Sequence, residues 1–182
     1  MSKYVFPKYN FLEKRKKLKL LLAHIETNIP SFELRSKEDS MIFTILSKIF
    51  FFNKNIQTRF ITTLYPHVYL PRLPYQSTFR DDASAIEILA HEYIHLKDRK
   101  KYGWLFNFAY LSPQIFALFA PLALLEPWWL LSLIALLPFP SPGRAWIEFR
   151  GYKTSLAVYY WLHGKKHDID FIVKQFTGSG YY

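Results

Sequence analysis

Between Lys101 and Arg144 the chain carries a single formal charge, Glu126, and from Trp104 to Leu137 it is built mainly of Leu, Phe, Ala, Ile and Trp. A stretch of that kind has to be hidden, either in lipid or in the middle of a protein. The arm from Trp104 to Leu125 is long enough, at about 1.5 Å per residue, to cross a hydrocarbon core of roughly 30 Å. The return arm, Trp128 to Leu137, is only half a span if helical, so a full crossing requires Pro138 to Pro142 to run extended. A shallow re-entrant hairpin is the equal alternative. Both flanks are basic, with Lys97, Arg99, Lys100 and Lys101 before and Arg144, Arg150 and Lys153 after, which predicts that both lie in the cytoplasm. Trp104, Trp128 and Trp129 stand at arm ends, as interfacial aromatics do. The competing reading buries the segment as the central helical hairpin of a soluble protein, and Pro113, Pro121 and Pro127, which break the span, favour it.

The rest of the chain must supply a folded body. Its 182 residues are room for one domain with an appended element, and 51% apolar with 21% charged residues excludes a disordered or fibrous chain. The start, Met1 to Asn10, has no apolar core of signal-peptide length, so no secretory signal is expected. Phe11, Leu12, Leu18, Leu21, Leu22 and Ile25, with Lys14 to Lys17 and Lys19 between them, predict a basic amphipathic helix over Asn10 to Ile25. A second helix is expected from Ser36 as N-cap to about Phe52, ended by Asn53 to Asn55. Arg59 to Leu70 predicts one or two short strands, with Pro66 interrupting and Pro71 and Pro74 closing the region. Asp81 and Asp82 open a strongly helical run to about Tyr102, and a final helix is expected from near Arg144 to His163. The predicted class is therefore α+β and mostly helical, with a small sheet and an inserted apolar hairpin. One catalytic domain is expected overall, from residues 1–103, the hairpin 104–140 and the third-ligand segment 141–182.

The chemistry lies in His91-Glu92-Tyr93-Ile94-His95, a His-Glu-x-x-His motif in the middle of the Asp82 helix. Residues four apart on a helix share a face, so both imidazoles can reach one ion while Glu92 projects toward a water beside it. The chain has no cysteine, which removes disulfides, thiolate zinc sites, iron–sulfur clusters and cysteine nucleophiles together. Neutral imidazole suits zinc, Zn2+, and the remaining ligands must be His, Asp or Glu. The bland alternative is a pair of surface histidines on a basic helix. A catalytic zinc needs a third protein ligand and an open fourth position. Glu148 is the expected ligand, because a carboxylate among Trp146, Ile147 and Phe149 is costly unless paired or metal-bound. An ion pair with Arg144 or Arg150 is the other account of it. His163 and His167 are weaker ligand candidates, and Glu126 is excluded if it sits at a hairpin tip.

The run Ala90 to Asp98, an apolar stretch and then Glu148 on a following helix together resemble the gluzincin metallopeptidases, especially the HtpX-like and CAAX-prenyl-protease membrane metalloendopeptidases. The resemblance covers Asp82 to Asp98 and Arg144 to Leu156, about a third of the chain. It implies zinc on His91, His95 and Glu148, Glu92 as catalytic base, and membrane segments between motif and third ligand. It stops after Glu148, where Gly151 and Tyr152 stand in place of the family's small residue and aspartate. Asp98 is then a candidate for the missing carboxylate that orients a histidine, or else a helix-surface partner of Lys101 or Arg99. Tyr152, Tyr159 and His163 are candidate donors to an oxyanion, and Ile61 to Leu70 is a candidate edge for holding extended substrate.

The expected function is a membrane-anchored zinc endopeptidase acting on peptides or proteins from the cytoplasmic side. The competitor from a different class is a non-catalytic membrane-bound adaptor or inhibitor that keeps the metal helix as structure. The net charge of +10 suits the anionic cytoplasmic leaflet. Nucleic acid is not an expected partner, since no recognised reading motif accompanies Lys14 to Lys19.

Overall fold

The computed structural model describes residues 11–49, 61–71, 81–137 and 139–177. In chain order the elements are α1 (Phe11–Asn28), β1 (Leu34–Ser36), α2 (Met41–Ile49), β2 (Thr62–Leu64), β3 (His67–Leu70), α3 (Asp82–Tyr102), α4 (Trp104–Leu111), two 3₁₀ arms (Gln114–Leu124 and Pro127–Leu136), α5 (Pro142–His163) and α6 (Ile169–Thr177). The class is α+β and mostly helical, as the sequence predicts. Phe52, Asn53 to Asn55, Arg59, Pro74 and Pro138 fall outside the described residues.

The core forms where apolar stripes of α1, α3 and α5 meet. Ile25, Ile29, Phe32, Val68, Leu89 and Leu96 make one buried cluster, joining α1 and the sheet to α3. Ala83, Ile86 and Leu162 make a second, joining α3 to the far end of α5, with Leu18 and Leu21 of α1 touching both. Burying each large aliphatic side chain contributes about 1.5–3 kcal/mol. The sheet lies over α3 in the order β1-β3-β2, with β1 parallel and β2 antiparallel to β3. Leu64 pairs with His67, so Tyr65 and Pro66 form the turn of a β2–β3 hairpin and the expected strand region resolves into two strands. Among the described strands β2 is therefore an edge, and it packs on α3.

Ser36 does not cap a helix. It ends β1, the next amide, on Lys37, donates to the Leu70 carbonyl at 3.0 Å, and α2 begins only at Met41. Pairing with β3 takes the backbone that a local cap would have used, and the Ser36 hydroxyl accepts instead from the Glu38 amide. At α3 the acidic start holds: the Asp81 carboxylate accepts from the Ser84 amide at 2.8 Å. Gly103, at φ 59°, ends the helix in a conformation that favours glycine. On α5, Ser141 is the N-cap with Pro142 behind it, two residues before the expected start, and Gly164 closes the helix at φ 66°.

The apolar segment is not one straight arm. α4 stops at Leu111, and the 3₁₀ arm after Ser112 and Pro113 leaves at 89° to it. Pro113 lacks the amide that would continue the ladder and disfavours helix in the residue before it. The two 3₁₀ arms pack on each other, with Phe119 against Trp129 at 5.7 Å between ring centres, and no residue of α4 or of either arm is buried. Among the described residues no single helix is long and apolar enough to cross a membrane; the bent pair α4 plus first arm meets that test by length and composition.

α3 and α5 are clamped by charge near the end of α3. Arg150 donates from Nε and Nη2 to the two carboxylate oxygens of Asp98, at 2.8 and 2.9 Å. The Asp98 side chain is 3% exposed and that of Arg150 42%, so loss of the arginine strands a buried charge, while loss of the aspartate's charge leaves a guanidinium that water can reach. Arg150→Met is predicted to cost about 3–5 kcal/mol of unfolding free energy and Asp98→Asn only about 1 kcal/mol, as read by urea denaturation. Equal costs would contradict the burial asymmetry.

Candidate metal centre

His91, Glu92 and His95 sit in the third and fourth turns of α3, and Glu148 sits in the second turn of α5, whose axis crosses beside them. The approach is close because Gly151 has no side chain: a Cβ there would lie 2.5 Å from His91 Nε2. Farther up α5, Gly143 meets the Ala109 carbonyl of α4 in the same way. The two glycines let α5 settle against both partners, and Glu148 comes to face the imidazoles.

The three ligand atoms lie within 4.8 Å of one another. Glu148 Oε2 is 3.3 Å from His91 Nε2 and 3.6 Å from His95 Nε2. Zinc at about 2.0–2.1 Å from N and O ligands, in tetrahedral array, holds its ligand atoms about 3.3 Å apart; the 3.3 Å contact between Glu148 and His91 also qualifies as a hydrogen bond. The donor set suits a divalent ion of the zinc type, and the two Glu148 separations lie near that spacing. The side chains are 13%, 7% and 12% exposed for His91, His95 and Glu148, which rules out a pair of surface histidines. Nor does Glu148 pair with an arginine: Arg150 holds Asp98, and Arg144 Nε donates to the Tyr110 carbonyl at 3.2 Å.

Other side chains contact each of the three candidate ligands and Glu92. The Tyr110 hydroxyl donates to Glu148 Oε1 at 2.9 Å, leaving Oε2 to the histidines. Ser155 Oγ stands 3.3 Å from His91 Nδ1, and the Tyr152 ring lies edge-on to His91 at 5.0 Å. The Thr63 hydroxyl, on edge strand β2, donates to Glu92 Oε2 at 2.5 Å. Phe106 packs against His95 at 6.4 Å. His95 Nδ1 is buried with no hydrogen-bond partner among the described residues.

Several sequence expectations change here. Asp98 orients no histidine and pairs with neither Lys101 nor Arg99; it is the buried partner of Arg150, and Ser155 contacts His91 instead. His163 is not at the centre. It lies fifteen residues beyond Glu148, about 22 Å along α5, and packs on Tyr159 at 4.5 Å. Burial there, with Lys14 and Lys165 nearby, pushes its pKa down. Tyr159 also packs on His167, which pairs with Glu87 at 3.7 Å, so neither joins the ligand set. Glu126 sits in the turn between the 3₁₀ arms, away from the ligands. The sequence did not single out Tyr110, Thr63, Ser155 or Phe106. Tyr110 had one signal, a phenol in a segment almost devoid of polar side chains; the others had none, because their placement is set by the crossing of elements distant in sequence.

Electrostatics favour a ligand carboxylate. Burial works to raise the Glu148 pKa, but hydrogen bonds and charge from His91 and His95 outweigh it and hold the group well below the usual carboxylate range. Burial likewise pulls His95 down, and Glu148, Glu92 and Asp98 together push it up on balance, so protons compete with a cation for that imidazole. Behind Glu92 lies Lys37, 1% exposed, whose pKa burial lowers to about 8 against the opposing pull of Glu92. No protein-family model matches the chain, and no curated protein or solved structure shows significant similarity to it.

Two outcomes are expected. Gly151→Ala drives a methyl group into the His91 ring, so zinc affinity, measured by competition with a chromogenic chelator, falls about 10- to 100-fold while the helical circular dichroism is kept; unchanged affinity contradicts the close approach. Lys37 has a folded-state pKa of about 8 against 10.5 unfolded, so the unfolded chain binds the extra proton between those values and stability rises with pH across that window. The stability advantage of Lys37→Met over the natural chain should therefore shrink by about 1–2 kcal/mol from pH 8 to 10.5 in urea titrations; a constant gap contradicts the assignment.

Proposed function

We propose that the protein is a zinc-dependent endopeptidase with His91, His95 and Glu148 as metal ligands and Glu92 as general base. The single observation behind this reading is the convergence of three largely buried side chains, His91, His95 and Glu148, within 4.8 Å of one another at their ligand atoms, from helices separated by the apolar segment. The resemblance of the motif to the gluzincins points the same way.

Zinc in this position supplies Lewis acidity, lowering the pKa of water to about 7 and polarising a carbonyl. The chain's residues do the rest. Glu92 accepts the proton of the attacking water and delivers it to the leaving amine. The Thr63 hydroxyl on Glu92 Oε2 leaves the other carboxylate oxygen for that exchange and fixes the side chain's rotamer. Tyr152, edge-on to His91, is the group we assign to the developing oxyanion. β2 has no strand on its outer side among the described residues, so an extended peptide can add there by main-chain hydrogen bonds, within reach of Glu92 through Thr63.

The apolar hairpin is the membrane anchor in this reading. It carries exposed Leu118, Leu124, Leu125 and Trp128, and its basic flanks suit the anionic cytoplasmic leaflet, so the centre works at the cytoplasmic membrane surface on peptide or protein substrates. With the zinc-loaded full chain and a mixed peptide library, Glu92→Gln should lower turnover about 10²- to 10⁴-fold while zinc stays bound. Full turnover by that variant contradicts the base assignment. Zinc bound by the natural chain with no peptide cleaved favours the adaptor or inhibitor instead.

A further inference from the structure

α3 carries its site residues on one stripe. His91 and His95 are four residues apart, and four residues further along comes Arg99, one turn and about 6 Å past the second histidine. Arg99 does not join the basic surface of its neighbours. It lines a cavity of about 130 Å³, several times what one water needs, between edge strand β2 and α4. The strand side is Thr63 to Tyr65, and the α4 side is Phe106 and Asn107.

Two of these walls belong to the metal centre as well. Thr63 holds Glu92, and Phe106 packs on His95. The cavity is thus one side chain removed from the ligands, on the edge along which an extended peptide would run. Among the described residues Arg99 is the only formally charged one that lines it, and no carboxylate pairs with it. The nearest acid in sequence, Asp98, is held by Arg150 through both carboxylate oxygens. The Asn107 amide adds a neutral donor, and Leu64 and Phe106 provide apolar wall, which lowers the local dielectric and strengthens a charge pair.

We propose that Arg99 is a specificity-determining residue whose pocket takes a carboxylate of the substrate peptide. The guanidinium fork matches a carboxylate in bidentate fashion, as Arg150 does for Asp98 in this same molecule. Peptide residues advance about 3.3 Å each along a strand, so the carboxylate belongs to a residue within a few positions of the bond at the metal. Either an acidic side chain or the peptide's own C-terminus supplies this chemistry. The inference rests on the peptide-hydrolase reading for the nature of the ligand, and its test does not need turnover.

The test is binding of fluorescent alanine-based heptapeptides to zinc-loaded Glu92→Gln full-length protein in detergent, read by anisotropy. One pair, blocked at both ends, differs by a central Glu or Gln. A second pair, all alanine, ends in a free or an amidated C-terminus. The carboxylate member of one pair should bind about 10- to 100-fold more tightly. Preference in the first pair identifies a side chain, and in the second a C-terminus. Arg99→Gln should bring that ratio to about one at unchanged zinc content, and Arg99→Glu should invert it toward a central Lys. No preference in either pair, or a preference that survives Arg99→Gln, overturns the proposal. If the natural chain cleaves peptides without such a preference, only the pocket assignment falls; if it cleaves none but the binding preference holds, only the hydrolase reading falls.

Discussion

The structure depends on how near two helices can come. His91 of α3 occupies the space that a side chain at position 151 would need, and Glu148, one turn earlier on α5, reaches the imidazoles only because that space is free. The paired charges of Asp98 and Arg150 hold the same crossing on its other side. A charge pair whose acid is buried is a poor source of net stability, but it penalises any sliding of one helix along the other, because a shift would leave the carboxylate uncompensated. Packing, clamp and ligand geometry are in this sense one feature seen from three residues.

The apolar segment shapes the centre as well as separating its halves. Tyr110 stands on α4 at the root of the hairpin and fixes one oxygen of Glu148, while Phe106, one turn before it, covers His95. The greasy insertion thereby contributes to the surroundings of His95 and Glu148, and the outermost apolar residues remain exposed on arms that pack on each other, the first of them also on α4.

The sequence made the His91, His95 and Glu148 cluster legible because helical spacing turns His91 and His95 into neighbours whatever the rest of the fold does, and because a carboxylate at 148 had no cheap apolar explanation. It made the start of α3 legible through Asp81 and Asp82, whose roles at the helix N-terminus are local. It misled at Ser36, where β1 pairing with β3 overrode a local cap, and at Asp98 and His163, whose partners are decided by the crossing of α3 with α5 and by the length of α5. β1 and α6 had no comparable local signal. Thr63, Ser155 and Tyr110 share one property: each acts through a contact at least 29 residues away in sequence, the separation of Thr63 from Glu92. Reading along the chain ranks single residues and short spacings, and contacts of that range lie beyond it.

The central claim is that side chains from α3 and α5 close on one divalent cation. Equilibrium zinc binding to the purified full chain, compared with His91→Ala, His95→Ala and Glu148→Ala each alone, tests it most directly. The account predicts one zinc per chain and affinity losses of about 100-fold or more for all three variants. Natural affinity in Glu148→Ala, with losses confined to the two histidine variants, would contradict it.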